Sequence, residues 1–242
     1  MPPTDEEAIM QAFDLHLHTR AFSDCSFIDP ADLIHQAVRL GLQGIALTEH
    51  GARWPDEKFD ELRKLGDPHG LILINGQEFL ASSARNAMEG EFLVFGLKKS
   101  IWGNLSAREL AERVHGEGGI LIAAHPYKLS RGGKHHYYGA GNLIYELPLD
   151  AVELYHPGHD ERALGKIRKA MEDRGLPGTG SSDAHKTFEV GAFVTLFENR
   201  IGGEEDFIRE IRKGNIRPAK GEGRLTDVRP GPRPKPGRPN PA

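Results

Sequence analysis

Short apolar runs recur along this 242-residue chain, and most of them end at a histidine or a carboxylate. Residues 44–48, 71–74 and 120–124 are runs of this kind, and segments with helical spacing separate several of them. Short apolar runs that alternate with helices are typical of buried strands in a parallel sheet. The pattern therefore predicts an α/β domain in which polar side chains gather at the carboxyl ends of the strands.

The first strand carries the clearest polar pattern, the segment Asp14-Leu15-His16-Leu17-His18. Because strand side chains alternate between two faces, the two histidines are expected to share one face with Asp14. Phe13, Leu15 and Leu17 would then take the opposite, apolar face. Two imidazoles that converge on one point suit a zinc, manganese or iron ion, and a solvated polar strand face is the alternative.

The other candidate ligands also fall where strands are predicted to end. The set holds five imidazoles and three carboxylates without a thiolate, which fits catalytic first-row metals better than a closed structural zinc site. Eight ligands exceed the coordination of one ion, so we expect two or three divalent ions (zinc, manganese or iron), with Glu78 able to bridge two of them. The candidates are His16, His18, Asp24, His50, Glu78, His125, Asp183 and His185.

Composition limits the class and location of the protein. Apolar residues make up 38% of the chain, and no apolar run approaches the roughly 18 residues that a spanning helix needs. The first ten residues carry three acidic residues and no basic one, unlike a signal peptide. The single cysteine, Cys25, fits a reducing compartment, and we expect a cytoplasmic protein without a membrane partner. Cys25 could touch a metal beside Asp24, but a plain loop role is the prediction.

Two segments are expected, a catalytic domain over residues 1–219 and a disordered tail over residues 220–242. The tail holds six basic and two acidic residues, six prolines after Val228 and no apolar periodicity. The whole chain carries a net charge of −4, so the domain before the tail carries −8. A nucleic-acid partner is therefore not favoured, although the basic tail could hold one electrostatically.

Two architectures fit this order of strands and helices. Seven or so parallel strands with ligands at their carboxyl ends favour a barrel, because barrel active sites lie on that face. A doubly wound open sheet is the alternative, but the chain has neither Gly-x-Gly-x-x-Gly nor a phosphate-binding P-loop.

A series of short motifs resembles the PHP (polymerase and histidinol phosphatase) family over roughly residues 12–197. The resemblance implies a distorted (β/α)7 TIM-like barrel with a two- or three-metal cluster that hydrolyses phosphoesters. It implies His16, His18, Glu78 and Asp183 around one ion, Glu78 and His125 at a second, and Asp24, His50 and His185 at a third. The motifs are Asp14-Leu15-His16-Leu17-His18-Thr19, Ser23-Asp24, Thr48-Glu49-His50, Gly76-Gln77-Glu78, Ala124-His125-Pro126 and Ser182-Asp183-Ala184-His185.

The chain departs from that family pattern at two positions. Asp24 stands where many members have a histidine, and a carboxylate is a competent substitute. The family often has a histidine near the start of the fourth strand, where this chain has Glu91. Glu91 could replace it as a ligand of the second ion, or it could be a solvated glutamate.

The resemblance favours a phosphoesterase that hydrolyses phosphate monoesters of a small phosphorylated metabolite through a metal-activated hydroxide. Glu78 and Asp183 would be catalytic, with His185 as a candidate proton donor. One alternative is a nuclease or nucleotide phosphatase that acts on nucleic-acid ends, and another is a non-catalytic metal-binding module. Candidate substrate-binding side chains are Arg20, Arg131 and Lys134, since cationic groups match phosphate charge. His156 follows the sixth predicted strand and could contact substrate or support a metal ligand.

Overall fold

A mixed sheet of nine strands forms a nearly closed barrel in the computed structural model, which describes residues 10–83, 87–130 and 136–221. The strands are β1 (Gln11–Leu17), β2 (Gly44–Leu47), β3 (Ile72–Ser82), β4 (Met88–Phe95), β5 (Ile120–Ala123), β6 (Lys128–Leu129), β7 (Tyr137–Tyr138), β8 (Ala151–Tyr155), β9 (Gly178–Gly180), β10 (Phe193–Phe197) and β11 (Ile216–Lys220). The helices are α1 (Pro30–Leu40), α2 (Asp56–Gly66), α3 (Ala107–Gly116), α4 (Glu161–Arg174) and α5 (Glu204–Lys213). Across these ranges, no helix combines the length and the apolarity needed to cross a bilayer.

The order of the strands in the sheet is β11-β10-β1-β2-β3-β4-β5-β8-β9, and β6 pairs only with β7. Strands β4 and β10 run opposite to the other seven. The end strand β9 returns to the other side of the sheet, where the backbone N–H of Gly180 donates to Oγ1 of Thr195 in β10 at 3.1 Å, and that hydroxyl donates to Gly180 O at 2.9 Å. The predicted barrel is confirmed, whereas a count of seven strand–helix units is not.

The reversed direction of β4 corrects the expectation of a wholly parallel sheet. We call the end of the barrel at which β1, β2, β3, β5, β8 and β9 finish the carboxyl rim. Because β4 is antiparallel to β3 and β5, its beginning lies at this rim. Glu91, which pairs with Leu80 of β3, is thereby placed beside the carboxyl ends of its neighbours.

Helices α1 and α3 begin at residues whose side chains cap them. Asp29 accepts a hydrogen bond from Ala31 N and precedes a proline at the first position of α1, and Gly41 ends that helix at φ 77°. Ser106 and Glu109 form a capping box at the start of α3. Helix α5 covers residues 204–213, with three acidic residues in its first turn and two basic residues in its last.

Apolar side chains from eight strands fill the barrel interior, and α5 closes the end opposite the carboxyl rim. The interior cluster includes Phe13 and Leu15 of β1 together with Phe207 and Ile211 of α5. The ring of Phe207 lies 5.1 Å from that of Phe95, at the end of the reversed strand β4. Separate clusters pack α1 and α2 on one side of the barrel, and α3 and α4 on the other.

A β-bulge in β1 corrects the predicted division of its two faces. The register with β2 shifts between Asp14 and Leu17. Leu17 therefore packs in the outer cluster with α1, away from Phe13 and Leu15. Asp14 does not join the histidines, because its carboxylate accepts hydrogen bonds from the backbone N–H groups of Ser182 and Gly191. The predicted alternation of side chains along β1 does not hold throughout the strand. A bulge adds one residue, and every side chain after it then points to the opposite face of the sheet.

The contact that closes the barrel predicts a stability effect at Gly180. A Cβ at this position would lie 2.6 Å from the carbonyl oxygen of Val194, and a backbone atom cannot easily move away. We expect Gly180→Ala to reduce the free energy of unfolding by about 1–3 kcal/mol in urea denaturation. Gly165→Ala is the matched control, since nothing lies within 4 Å of its Cβ and alanine favours the helix. Equal stabilities would contradict this closure.

Candidate metal centre

Histidines and carboxylates that lie on seven strands, or directly after them, converge at the carboxyl rim. In each of five overlapping groups, one nitrogen or oxygen per residue lies within 4.8 Å of the others. The groups are His18–His50–His185, His16–Glu78–His125, His16–His18–Asp183, His125–His156–Asp183 and His50–Glu78–Glu91. The structure thus brings together seven of the eight side chains picked out at strand ends, although ligation itself remains a prediction.

Glu78 occupies the middle of the cluster, with its two oxygens facing different pairs of imidazoles. Oε1 lies 3.3 Å from His16 Nε2 and 3.2 Å from His125 Nε2. Oε2 lies 3.3 Å from His18 Nε2 and 2.8 Å from His50 Nδ1. Burial raises the pKa of Glu78, but the charge on His16 and hydrogen bonds from the neighbouring imidazoles outweigh it and hold that pKa well below its usual value. The carboxylate can therefore face two ions at once.

Asp183 joins the histidines of β1 to the opposite side of the rim. Its Oδ1 lies 3.3 Å from His18 Nε2, and its Oδ2 lies 2.7 Å from Lys128 Nζ and 3.1 Å from His156 Nε2. The backbone has φ 50° at Asp183 and φ 24° at His125, a region that residues other than glycine rarely adopt. Strain of this kind is tolerated where surrounding contacts fix a functional geometry.

The donor atoms fit divalent cations. His16 Nε2, His18 Nε2 and Glu78 Oε2 are buried and have no hydrogen-bond partner among the described residues. His16 Nδ1 donates to Glu153 Oε1 at 3.1 Å, which leaves the Nε2 lone pair directed at Glu78 and Asp183. Burial lowers the pKa of His16, but these carboxylates raise it well above its ordinary value, so the site favours an additional positive charge. Nitrogen and oxygen donors suit zinc, manganese or iron.

Glu153 of β8 is a site residue that the sequence did not reveal. It is fully buried, accepts the His16 hydrogen bond and also accepts the backbone N–H of His125 at 2.7 Å. Burial raises its pKa, but the charge on His16 outweighs this and lowers the pKa to about 2. The available signal was a single acidic residue inside the apolar run Ala151–Tyr155.

Glu49 organises the loop beside His18, although only its neighbour His50 had been singled out. Its carboxylate accepts hydrogen bonds from the backbone and hydroxyl of Thr19, from Ser23 Oγ at 2.6 Å and from Trp54 Nε1 at 2.9 Å. Ser23 Oγ in turn lies 3.4 Å from His18 Nδ1. Because the serine hydroxyl donates to Glu49, it accepts from His18 Nδ1–H, and His18 Nε2 remains free to bind a cation.

His156 contacts the cluster through Asp183 rather than as a ligand. Its Nδ1 accepts the backbone N–H of Gly158 at 2.8 Å, so its Nε2 carries the proton and donates to Asp183. Burial lowers the pKa of His156 to about 3, which keeps the ring neutral. The sequence had suggested a substrate contact, whereas this geometry orients Asp183.

Of the remaining residues that the sequence predicted for the site, Glu91 reaches the cluster, and the others described do not. Glu91 groups with His50 and Glu78, and its Oε2 is 3.6 Å from His125 Nε2. Asp24 is exposed and belongs to none of the groups that the described residues form. Arg20 is also exposed and forms an ion pair with Asp29 at 2.5 Å. Arg131 and Lys134, the other candidate substrate contacts, lie outside the described residues.

A cavity of about 500 Å³ opens beside the cluster. Its lining includes His50, Glu78 and Glu91 on one side, and Leu80 and Trp102 on the other. Trp102 is 68% exposed, which is high for so large an apolar side chain. The candidate ligands are therefore accessible to a small molecule that also contacts an aromatic surface.

The contact between Glu153 and His16 predicts a measurable effect on metal binding. We expect Glu153→Gln to weaken metal binding by about 10–100-fold, because the amide keeps the shape but loses the charge that orients the imidazole. Isothermal titration with zinc measures this directly. Glu172→Gln, on the exposed face of α4, is the control. Unchanged affinity in the Glu153 variant would show that His16 does not depend on this carboxylate.

Family models match most of the described chain. The PHP domain model matches residues 14–138, and the model described as PHP-associated matches residues 161–216. The chain is 27% identical over 174 residues to an uncharacterised protein of Methanocaldococcus jannaschii, which covers 68% of this chain and 92% of that protein.

Solved structures share the fold at low identity. A proposed metal-dependent phosphoesterase from Bifidobacterium adolescentis has a TM-score of 0.59 at 19% identity, covering 85% of this chain and 96% of that one. An amidohydrolase from Chromobacterium violaceum, with bound sulfate and no metal, has a TM-score of 0.57 at 14% identity and covers 87% and 98%. A lesion-specific endonuclease from Pyrococcus furiosus has a TM-score of 0.54 at 16% identity and covers 84% and 56%.

Proposed function

Because this chain belongs to the PHP domain family, we propose that it hydrolyses phosphate monoesters of a small metabolite with the help of divalent metal ions. The observation that carries the proposal is the position of Glu78, whose two buried oxygens face four imidazole nitrogens. The likeness to a proposed metal-dependent phosphoesterase supports the same class of reaction.

The residues divide into sets that would hold two or three ions. His16, His18 and Asp183 would hold one ion with Glu78, which would also contribute to a second with His125 and Glu91. His50 and His185 would contribute to a third, because the single free nitrogen of His18 is already assigned to the first ion. When bound, such ions acidify water and withdraw charge from phosphoryl oxygens. Nothing in this scheme requires a serine or cysteine nucleophile.

Lys128 gives the rim a positive charge that is independent of any ion. Its Nζ lies 2.7 Å from Asp183 Oδ2, and the side chain is 25% exposed. Burial lowers the pKa of Lys128, but the negative charge of Asp183 outweighs burial and raises the pKa above its usual value. The ammonium therefore keeps its charge. We infer that this group donates to a phosphoryl oxygen and favours the charge that develops as the ester bond breaks.

His185 is better suited to hold an ion than to donate a proton. Its Nδ1 donates to the backbone carbonyl of Asp183 at 2.9 Å, so Nε2 carries a lone pair in the neutral ring. The sequence left His185 or a metal-bound water as the proton donor to the leaving oxygen, and the role of His185 in that step stays a prediction. Solvent at the open cavity is the simpler source of that proton.

A nuclease or nucleotide phosphatase is the second candidate. The exposed indole of Trp102 beside Leu80 at the cavity favours it, because an aromatic face can stack a nucleobase. The endonuclease among the structures of similar fold agrees with this alternative. A non-catalytic metal-binding module is less well supported, since the candidate ligands form several complete groups.

The experiment is a substrate panel with protein reloaded separately with zinc, manganese or iron. Sugar phosphates, histidinol phosphate, nucleotides and end-phosphorylated oligonucleotides are compared by phosphate release. Turnover of sugar phosphates or histidinol phosphate supports the proposal, whereas selective turnover of oligonucleotides that declines with salt supports the nuclease. In the second case Trp102→Ala should raise KM for nucleotides without changing kcat for a generic phosphomonoester. Metal binding without any hydrolysis would overturn both enzyme proposals.

A further inference from the structure

Tyr138 lies opposite Lys128 in the small hairpin of β6 and β7, beside the metal cluster. The two residues are directly paired across the antiparallel strands, so their side chains lie on the same face of the hairpin. Lys128 Nζ reaches Asp183 Oδ2 at 2.7 Å, so this face turns toward the carboxyl rim. The ring of Tyr138 is 5.8 Å from Lys128 Nζ and 6.4 Å from the ring of His125. The tyrosine therefore borders both the ammonium and one side of the cluster.

Close backbone packing directly after Tyr138 holds this residue at the rim. Gly139 has φ 111°, and a Cβ there would lie 2.7 Å from the carbonyl oxygen of His125. A Cβ at Gly90 would lie 2.4 Å from the backbone nitrogen of Ala140, so the same segment also contacts the first half of β4. The backbone of two rim strands thus fixes where Tyr138 stands, and its side chain is not needed for that packing.

The hydroxyl of Tyr138 is uncommitted, unlike the hydroxyls of two neighbouring tyrosines. Tyr127 donates to Asn142 Oδ1 at 2.8 Å, and Tyr137 donates to the carboxylate of Asp160 at 2.9 Å. Within the part of the chain that the structure describes, the Tyr138 hydroxyl forms no hydrogen bond, and the side chain is 37% exposed. Because a phenol carries one O–H donor, this donor is available to a molecule bound at the rim.

We propose that Tyr138 is a substrate-binding residue, and that its hydroxyl donates a hydrogen bond to the same phosphoryl group as the ammonium of Lys128. This inference rests on the proposed hydrolysis of phosphate monoesters. A phosphoryl group offers three terminal oxygens that accept hydrogen bonds, so it can take one donor from each side chain of the pair. The neutral phenol adds a donor without a second positive charge beside Asp183, whose carboxylate already pairs with Lys128.

Titration of inorganic phosphate into the metal-loaded full chain tests this role, with isothermal calorimetry as the measurement. We expect Tyr138→Phe to weaken phosphate binding by about 10–100-fold, because the lost hydrogen bond has a charged acceptor. Metal content should stay at the wild-type value, since Tyr138 is not among the candidate ligands. Tyr145→Phe makes the same change at a residue that packs in the cluster of α3 and α4, and it should bind phosphate normally.

Tyr138→Ala separates the hydroxyl from the ring. If the hydroxyl is the donor, the phenylalanine and alanine variants lose affinity for phosphate to a similar extent. Normal affinity in Tyr138→Phe, with a loss only in Tyr138→Ala, would overturn the proposal, because the ring would then act only by packing against Lys128. A metal-loaded wild type that binds no phosphate would overturn it as well.

Hydrolysis measured on the same samples separates this inference from the proposed function. Tyr138→Phe should raise KM and the inhibition constant of phosphate by similar factors. Phosphate binding that depends on the hydroxyl, without hydrolysis of any ester, overturns only the proposed function. Turnover with unchanged phosphate affinity in Tyr138→Phe overturns only the role of Tyr138.

Discussion

Glu78→Gln is expected to lower kcat by about 10³-fold or more, because in the proposed mechanism several kcal/mol of transition-state stabilisation would depend on ions that this carboxylate would bridge. Its oxygens lie between 2.8 and 3.3 Å from four imidazole nitrogens, and the neutral amide cannot bridge two cations. Phosphate release under substrate saturation measures the effect. Metal content by mass spectrometry should fall in the same variant.

The matched control for this substitution is Glu57→Gln, an exposed position on α2. It should keep wild-type kcat and metal content. Thermal unfolding in the presence of chelator tests whether Glu78→Gln folds. If it folds, the metal-free variant should unfold at a temperature similar to that of the metal-free wild type. A folded Glu78→Gln protein with near-normal turnover would eliminate the proposed mechanism.

Removal of metal has the second large expected effect. Prolonged chelation should abolish hydrolysis and lower the melting temperature on the order of 10 °C, because a ligand at 1,000 times its Kd adds about 4 kcal/mol to the free energy of unfolding. The buried carboxylate of Glu78 makes this linkage strong, since bound cations would offset a charge that is otherwise shielded from water. Differential scanning calorimetry and an activity assay on the same samples measure both quantities.

Adding metal back after chelation distinguishes a simple loss of metal from irreversible damage to the protein. Zinc or manganese added back should restore the melting temperature and the turnover together, and calcium, which prefers oxygen ligands, should restore neither fully. Glu78→Gln serves again as a control, since chelator should shift its melting temperature less. Full activity after exhaustive chelation would exclude the dependence on metal.

Most of the fold and most of the metal cluster could be predicted from local patterns in the sequence. Asp29 before a proline and Ser106 three residues before Glu109 located the starts of two helices, since capping is a local interaction. Glu78 and His125 were found because strands that feed one rim bring distant residues together. These features depend on order along the chain, which a reader of the sequence can see.

Features that depend on pairing between strands could not be predicted in the same way. The reversed direction of β4 placed Glu91 at the rim, yet an apolar run reads identically in either direction. One bulge moved Leu17 to the outer face, and bulges follow from the partner strand rather than from composition. Glu153 was missed because a buried acid is recognisable only with its partners, and here His16 lies 137 positions away.

Helix α5 packs against the far end of the barrel, so the cavity beside the cluster opens only toward the carboxyl rim among the described residues. Phe207 and Ile211 join the side chains that fill the interior, so the described residues pack the barrel between the cluster and the opposite end. If the chain hydrolyses phosphate monoesters as proposed, substrate would enter and both products would leave through the same opening. Inorganic phosphate bound at the metal ions would then compete with the next substrate, so product inhibition is expected without a separate regulatory site.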